Sequence, residues 1–158
     1  MSAESSTDRE TARAPWPTSP SARSSTGRVP EVAVVSSGYV RVDTIEGRTI
    51  FGPVALPGGG TGGPPTVADF DGDGLAEVAA AGATAYSVMD PDCGPRSVAR
   101  GTGRCETATT TGVLWSRPSQ DSSSNVTGST SFDFEGDGRV EAVYADECFA
   151  RVYDGATG

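Results

Sequence analysis

The chain of 158 residues contains no lysine and no histidine, and all twelve of its basic residues are arginines. Without imidazole there is no Ser-His-Asp or Cys-His nucleophile and no imidazole base, which removes the commonest hydrolase and transferase machinery. Acidic residues outnumber basic ones by 21 to 12, for a net charge of −9. Phosphate neutralisation requires clustered Lys or Arg, so nucleic acid and anionic membrane surfaces are poor partners for such a chain. Long apolar runs are missing too, and none approaches the twenty or so residues of a membrane-spanning helix. Cysteine is scarce, at three, and no Cys-x-x-Cys zinc spacing occurs.

Residues 1–28 are rich in Ser, Thr, Pro, Ala and Arg and lack the apolar stretch of a secretory signal. That composition predicts a disordered tail. Beyond it, glycine (21) and proline (11) punctuate short apolar stretches, and long amphipathic runs suited to helices are absent. The pattern predicts an all-β protein.

Three segments align without a gap: EVAVVSSGYVRVD from Glu31, EVAAAGATAYSVMD from Glu77 and EAVYADECFARVYD from Glu141. Each reads as an apolar run, a small or polar break and a second run, with Val42, Val88 and Val152 in register. Each is therefore a predicted β-hairpin. RTIFG (48–52) and GVLWS (112–116) supply a further strand after the first two copies, while PTVADF and STSFDF supply one before the last two. Strand, acidic loop, strand, turn, strand, connection, strand is a four-stranded antiparallel unit, the blade of a β-propeller. The boundaries are 29–52 for a degenerate first blade, 66–116 for a second carrying an insertion at 90–111, and 129–158 for a truncated third. About two and a half blades cannot close a ring, which implies a segment of a longer propeller that needs further blades.

Two acidic loops, DFDGDGLAE (69–77) and DFEGDGRVE (133–141), stand before the second and third hairpins. Carboxylates so close together repel unless something neutralises them. Alternate positions 1, 3 and 5 aim side chains at one point, glycine at 6 permits a sharp turn, and a carbonyl at 7 and a carboxylate at 9 complete an all-oxygen shell suited to Ca²⁺. The predicted ligands are Asp69, Asp71, Asp73, the Leu75 carbonyl and Glu77 in one loop, and Asp133, Glu135, Asp137, the Arg139 carbonyl and Glu141 in the other. An EF-hand shares positions 1 to 9 but needs a bidentate Glu at 12, where this chain has Ala80 and Tyr144, and it needs helices where this chain has strand patterns.

The DxDGDGxxE pattern followed by EVA, with GVLWS and the terminal VYDGATG, resembles the FG-GAP/VCBS repeats of integrin-α-type β-propellers in their bacterial form. The resemblance covers about residues 29–158. It implies a calcium-bearing propeller on a secreted or surface protein, used for adhesion or carbohydrate contact. The literal FG-GAP segment is absent, the first blade has no cation loop, and Glu135 stands where the family has Asp or Asn.

Cys93 and Cys105 bracket the insertion, and a disulfide between them would contribute roughly 3 kcal/mol and suit an oxidising compartment. Cys148 has no evident partner. The glycine-rich 53–65 stretch lacks the GK[ST] of a phosphate loop and reads as a flexible connection between blades. Asp146 and Glu147 read as a solvated hairpin tip, and Asn125-Val126-Thr127 matches a glycosylation sequon. The functional expectation is a non-enzymatic, calcium-stabilised extracellular binding or adhesion module with two Ca²⁺ sites and a protein or carbohydrate ligand, which the 90–111 insertion would contact. The alternative is a non-catalytic piece of a secreted polysaccharide lyase or hydrolase built on the same repeats.

Overall fold

A computed structural model describes residues 30–91 and 112–158. The tail, nearly all of the 90–111 insertion and the Cys93–Cys105 pair lie outside these residues. Ten strands and no helix make up the described chain: β1 (Glu31–Ser36), β2 (Tyr39–Thr44), β3 (Thr49–Ala55), β4 (Thr66–Ala68), β5 (Glu77–Ala81), β6 (Ala85–Met89), β7 (Val113–Pro118), β8 (Ser129–Phe132), β9 (Glu141–Ala145) and β10 (Ala150–Tyr153). They form three antiparallel sheets in the orders β1-β2-β3, β4-β5-β6-β7 and β10-β9-β8. No sheet closes on itself.

The three aligned segments are hairpins in one register. Ala33 pairs with Val42, Ala79 with Val88 and Val143 with Val152. One step outward, Val32 pairs with Asp43, Val78 with Met89 and Ala142 with Tyr153. Tight turns hold this register because a slip of one residue would exchange the two faces of every strand.

The sheets stack face to face with the four-stranded one in the middle. One of its faces carries Val78, Ala80, Met89 and Val113 against Val40, Val42 and Leu56 of the first sheet and the segment after it. Its other face carries Ala79, Ala81, Tyr86, Val88, Leu114 and Trp115 against Ala142, Tyr144 and Tyr153 of the third. A strand covered on both sides reads as a continuous apolar run, which is why β5 is Glu-Val-Ala-Ala-Ala and buried throughout. The aromatic side is layered: the Tyr86 ring lies 4.8 Å from Tyr144 and 5.3 Å from Tyr153, stacked in both cases. Across this seam the Trp115 indole N–H donates to the Gly155 carbonyl at 2.6 Å.

Two expectations need correction. The third strand of the first sheet runs to Ala55 rather than stopping at residue 52. The glycine-rich connection after it is pinned rather than flexible: the Gly62 and Gly63 amides donate to the carbonyls of Asn125 and Ala81, and Leu56 is buried. Gly62 sits at φ +89°, and a side chain there would run into Val35 and Leu56, so the glycine is a packing requirement. The Asn125 carboxamide oxygen accepts from the Thr61 amide and hydroxyl, both at 2.8 Å. The sequon asparagine thus ties the connection to the turn before β8.

Candidate metal centre

Each acidic loop begins where a short first strand ends and finishes on the glutamate that opens the next. In the first loop Asp69 Oδ1 accepts the Gly72 amide at 2.7 Å and Oδ2 the Gly74 amide at 2.9 Å. Asp73 Oδ1 accepts the Leu75 amide at 2.7 Å, and Glu77 Oε2 accepts the Phe70 amide at 2.6 Å. The second loop repeats all four bonds sixty-four residues on. Asp133 takes the Gly136 and Gly138 amides at 2.6 and 2.9 Å, Asp137 takes Arg139 at 2.9 Å, and Glu141 takes Phe134 at 2.9 Å. Short Asp side chains bonding to amides two to five residues on curl the backbone, and the curl brings the carboxylates together.

Asp69, Asp71 and Glu77 each offer a carboxylate oxygen within 4.8 Å of the other two, and so do Asp133, Glu135 and Glu141. Six of the ten predicted ligands therefore converge. Asp73 and Asp137 stand outside these tight groups, with their carboxylates on the turn amides. Leu75 and Arg139, expected to contribute carbonyls, are held through those amides.

The two groups differ in burial. Glu77 is 1% exposed and Asp71 2%. Burial pushes the Glu77 carboxyl up to about 9, with the neighbouring Asp71 charge adding to it and the Phe70 amide opposing it. At neutral pH, with nothing to balance it, that carboxyl is protonated. Around the second group Glu135 is raised chiefly by the hydrogen bond it shares with Glu141, while Asp133 is lowered chiefly by the Gly138 amide. This group is open because, among the described residues, no sheet lies on the far side of the third: Phe70 is fully buried and its counterpart Phe134 is exposed.

The loops are neighbours, which their separation in sequence conceals. The Val140 amide donates to the Asp69 carbonyl at 3.2 Å. The Arg139 stem lies over Gly72, and Gly155 packs against the carbonyls of Phe70 and Val140. Both acidic groups therefore sit at the same end of adjacent sheets. Their donor sets are all oxygen and anionic, with no nitrogen or sulfur, and this fits a hard divalent cation such as Ca²⁺. A carboxyl that burial holds neutral is the group a cation would recharge.

Asp146 is not a solvated tip. Its side chain has no exposed surface and accepts the amides of Gln120, Cys148 and Phe149 and the Arg151 Nε–H at 2.7 Å. Burial opposes its ionisation, but these donors outweigh it and hold the carboxyl down at about 2. Asp121, which the sequence did not single out, is likewise buried and accepts the Thr127 amide at 3.0 Å and the Ser124 hydroxyl. For Asp146 the available signal was an Asp two and three residues before turn amides; for Asp121, whose amide partner is six residues on, there was none. Cys148 is free and exposed. Searches against family models, curated proteins and solved structures return no match to this chain.

Proposed function

We propose that the chain is a calcium-stabilised segment of a propeller-type sheet stack, acting as an extracellular binding or adhesion module. The observation that carries this reading is the duplicated acidic loop: two carboxylate triads, built by the same four hydrogen bonds, each opening the same hairpin. A solvated acidic turn has no need to bring three carboxylates to one point twice. Calcium bound at Asp69, Asp71 and Glu77, and again at Asp133, Glu135 and Glu141, would supply positive charge that offsets their repulsion and locks the loop.

The face-to-face stacking of three sheets in one register supports a propeller, whose blades pack this way around an axis. Loops at the ends of the sheets would then contact a protein or carbohydrate ligand. Fixing those ends would be the mechanical use of the cation: the Asp69 carbonyl accepts the Val140 amide of the second loop, so an ordered first loop would position the second.

Binding to the folded state alone raises stability by RT ln(1 + [Ca²⁺]/Kd), about 2.7 kcal/mol at a hundredfold excess over Kd. A thermal scan in millimolar calcium should therefore exceed one in EDTA by roughly 5–10 °C for a chain of this size. Identical melting temperatures in the two buffers would refute the cation sites and the reading built on them.

A further inference from the structure

The shared register gives every hairpin position an equivalent in the other two. Ala33, Val35, Val40 and Val42 of the first sheet correspond to Ala79, Ala81, Tyr86 and Val88 of the middle sheet and to Val143, Ala145, Ala150 and Val152 of the third. The first set packs against the middle sheet, and the second set against the third. The third set is apolar at all four positions, yet among the described residues no sheet covers it. Val152 is 59% exposed, Ala145 and Ala150 are exposed, and Phe132 on the same face is 60% exposed with Phe134 edge-on at 4.9 Å. A monomer rarely leaves a contiguous face of this kind open to water.

The opposite end of the stack carries the matching half. The middle sheet meets its predecessor with Val78, Ala80 and Met89, and the third sheet meets its predecessor with Ala142, Tyr144 and Tyr153. The equivalents in the first sheet are Val32, Val34 and Asp43. Val32 is 48% exposed, and Tyr39, at the turn end of the same face opposite Ser36, is 52% exposed. The polar positions of this face are Ser36, Arg41 and Asp43, and the two charges meet each other at 2.8 Å, with the Thr49 hydroxyl on Asp43 at 2.7 Å. The two free faces are thus the two halves of an interface that this chain already makes twice within itself.

We propose that a second copy of the chain docks head to tail, its Val32–Val34–Tyr39 face seated on the Phe132–Val143–Val152 face of the first. A heterologous contact either closes into a ring or grows without limit. The described residues of two copies supply six sheets, a number within the four to eight blades of closed propellers, and the assembly proposed is a closed pair. This rests on the sheet stack and not on cation binding. A chain that pairs but ignores calcium would keep this inference and lose the proposed function, and one that binds calcium but never pairs would do the reverse.

The test is sedimentation velocity on the full chain from micromolar to submillimolar concentration, with calcium held constant. Wild type is expected to convert from one copy to two. Val32→Arg and Val152→Arg each spoil one face, and each should weaken pairing about tenfold or more by placing a charge in an apolar contact. Ile45→Arg, at an exposed turn outside both faces, should leave pairing unchanged, and circular dichroism verifies that all three variants fold. A wild type that stays single, pairing unaffected by Val32→Arg or by Val152→Arg, or open-ended growth would overturn the proposal.

Discussion

Glu77 is the residue on which charge and packing meet. It opens a strand buried on both faces, and its carboxyl has a pKa of about 9 in place of 4.5. Between those values the folded chain holds a proton that the unfolded chain has released, so this group's contribution to stability is full below pH 4.5 and is lost as pH rises towards 9. In EDTA the melting temperature should therefore fall from pH 5 to pH 9, and saturating calcium should flatten the slope by balancing the carboxylate. Glu77→Gln keeps an oxygen for the Phe70 amide and removes the titration. It should melt no lower than wild type at pH 8 in EDTA and lose the first site's share of the calcium shift. A wild-type melting temperature that climbs with pH over that range would sink this account. Asp146 has the opposite sign. Its depressed carboxyl contributes stability above pH 3.8 that is lost as pH falls towards about 2. Asp146→Ala should cost roughly 0.5–1.5 kcal/mol in urea unfolding at neutral pH, because it removes the acceptor that ties three turn amides and Arg151 together.

At the scale of the element, the hairpins were legible in sequence and their surroundings were not. Alternating apolar runs around a two-to-four-residue break define strand, turn and register together, and the Val42, Val88 and Val152 alignment survives as three equivalent cross-strand pairs. The loops were legible in outline, since position and residue type mark Asp69, Asp71 and Glu77. They did not reveal that Asp73 and Asp137 turn to backbone amides, because a carboxylate that ligates and one that caps a turn look alike in a string of letters. Nor does a sequence state how many faces of a strand are covered. Ala81 and Ala145 occupy equivalent positions, but one is buried between sheets and the other exposed. Ala81→Leu should therefore cost about 1–3 kcal/mol by overpacking. Ala145→Leu should stay within about 0.5 kcal/mol when measured at concentrations where the chain is single.

At the scale of the whole molecule, the middle sheet is the common partner. Bonds distant in sequence run from it to the third sheet: Thr66 to Ser129, Tyr86 to Ser129 and Trp115 to Gly155. Native-state hydrogen exchange should find the slowest amides in β5 and β6 and faster ones in β1 and β10, which lie at sheet edges. Equal protection across all three sheets would contradict this ordering. These ties were invisible in the sequence because each joins residues tens of positions apart through side chains with no pattern of their own. Asn125 is the clearest case, matching a glycosylation signal by letter and serving the Thr61 backbone in space.

The strands β6 and β7 are joined through the long 90–111 segment, yet its two ends are clamped together: the Asp90 amide donates to the Gly112 carbonyl at 3.0 Å. A connection that leaves and returns through one hydrogen-bonded gate places little demand on what lies between. Doubling its length costs only about 0.6 kcal/mol in closure entropy. Residues inserted within this segment should therefore cost the sheets little, since the gate and not the loop length sets the spacing of β6 and β7.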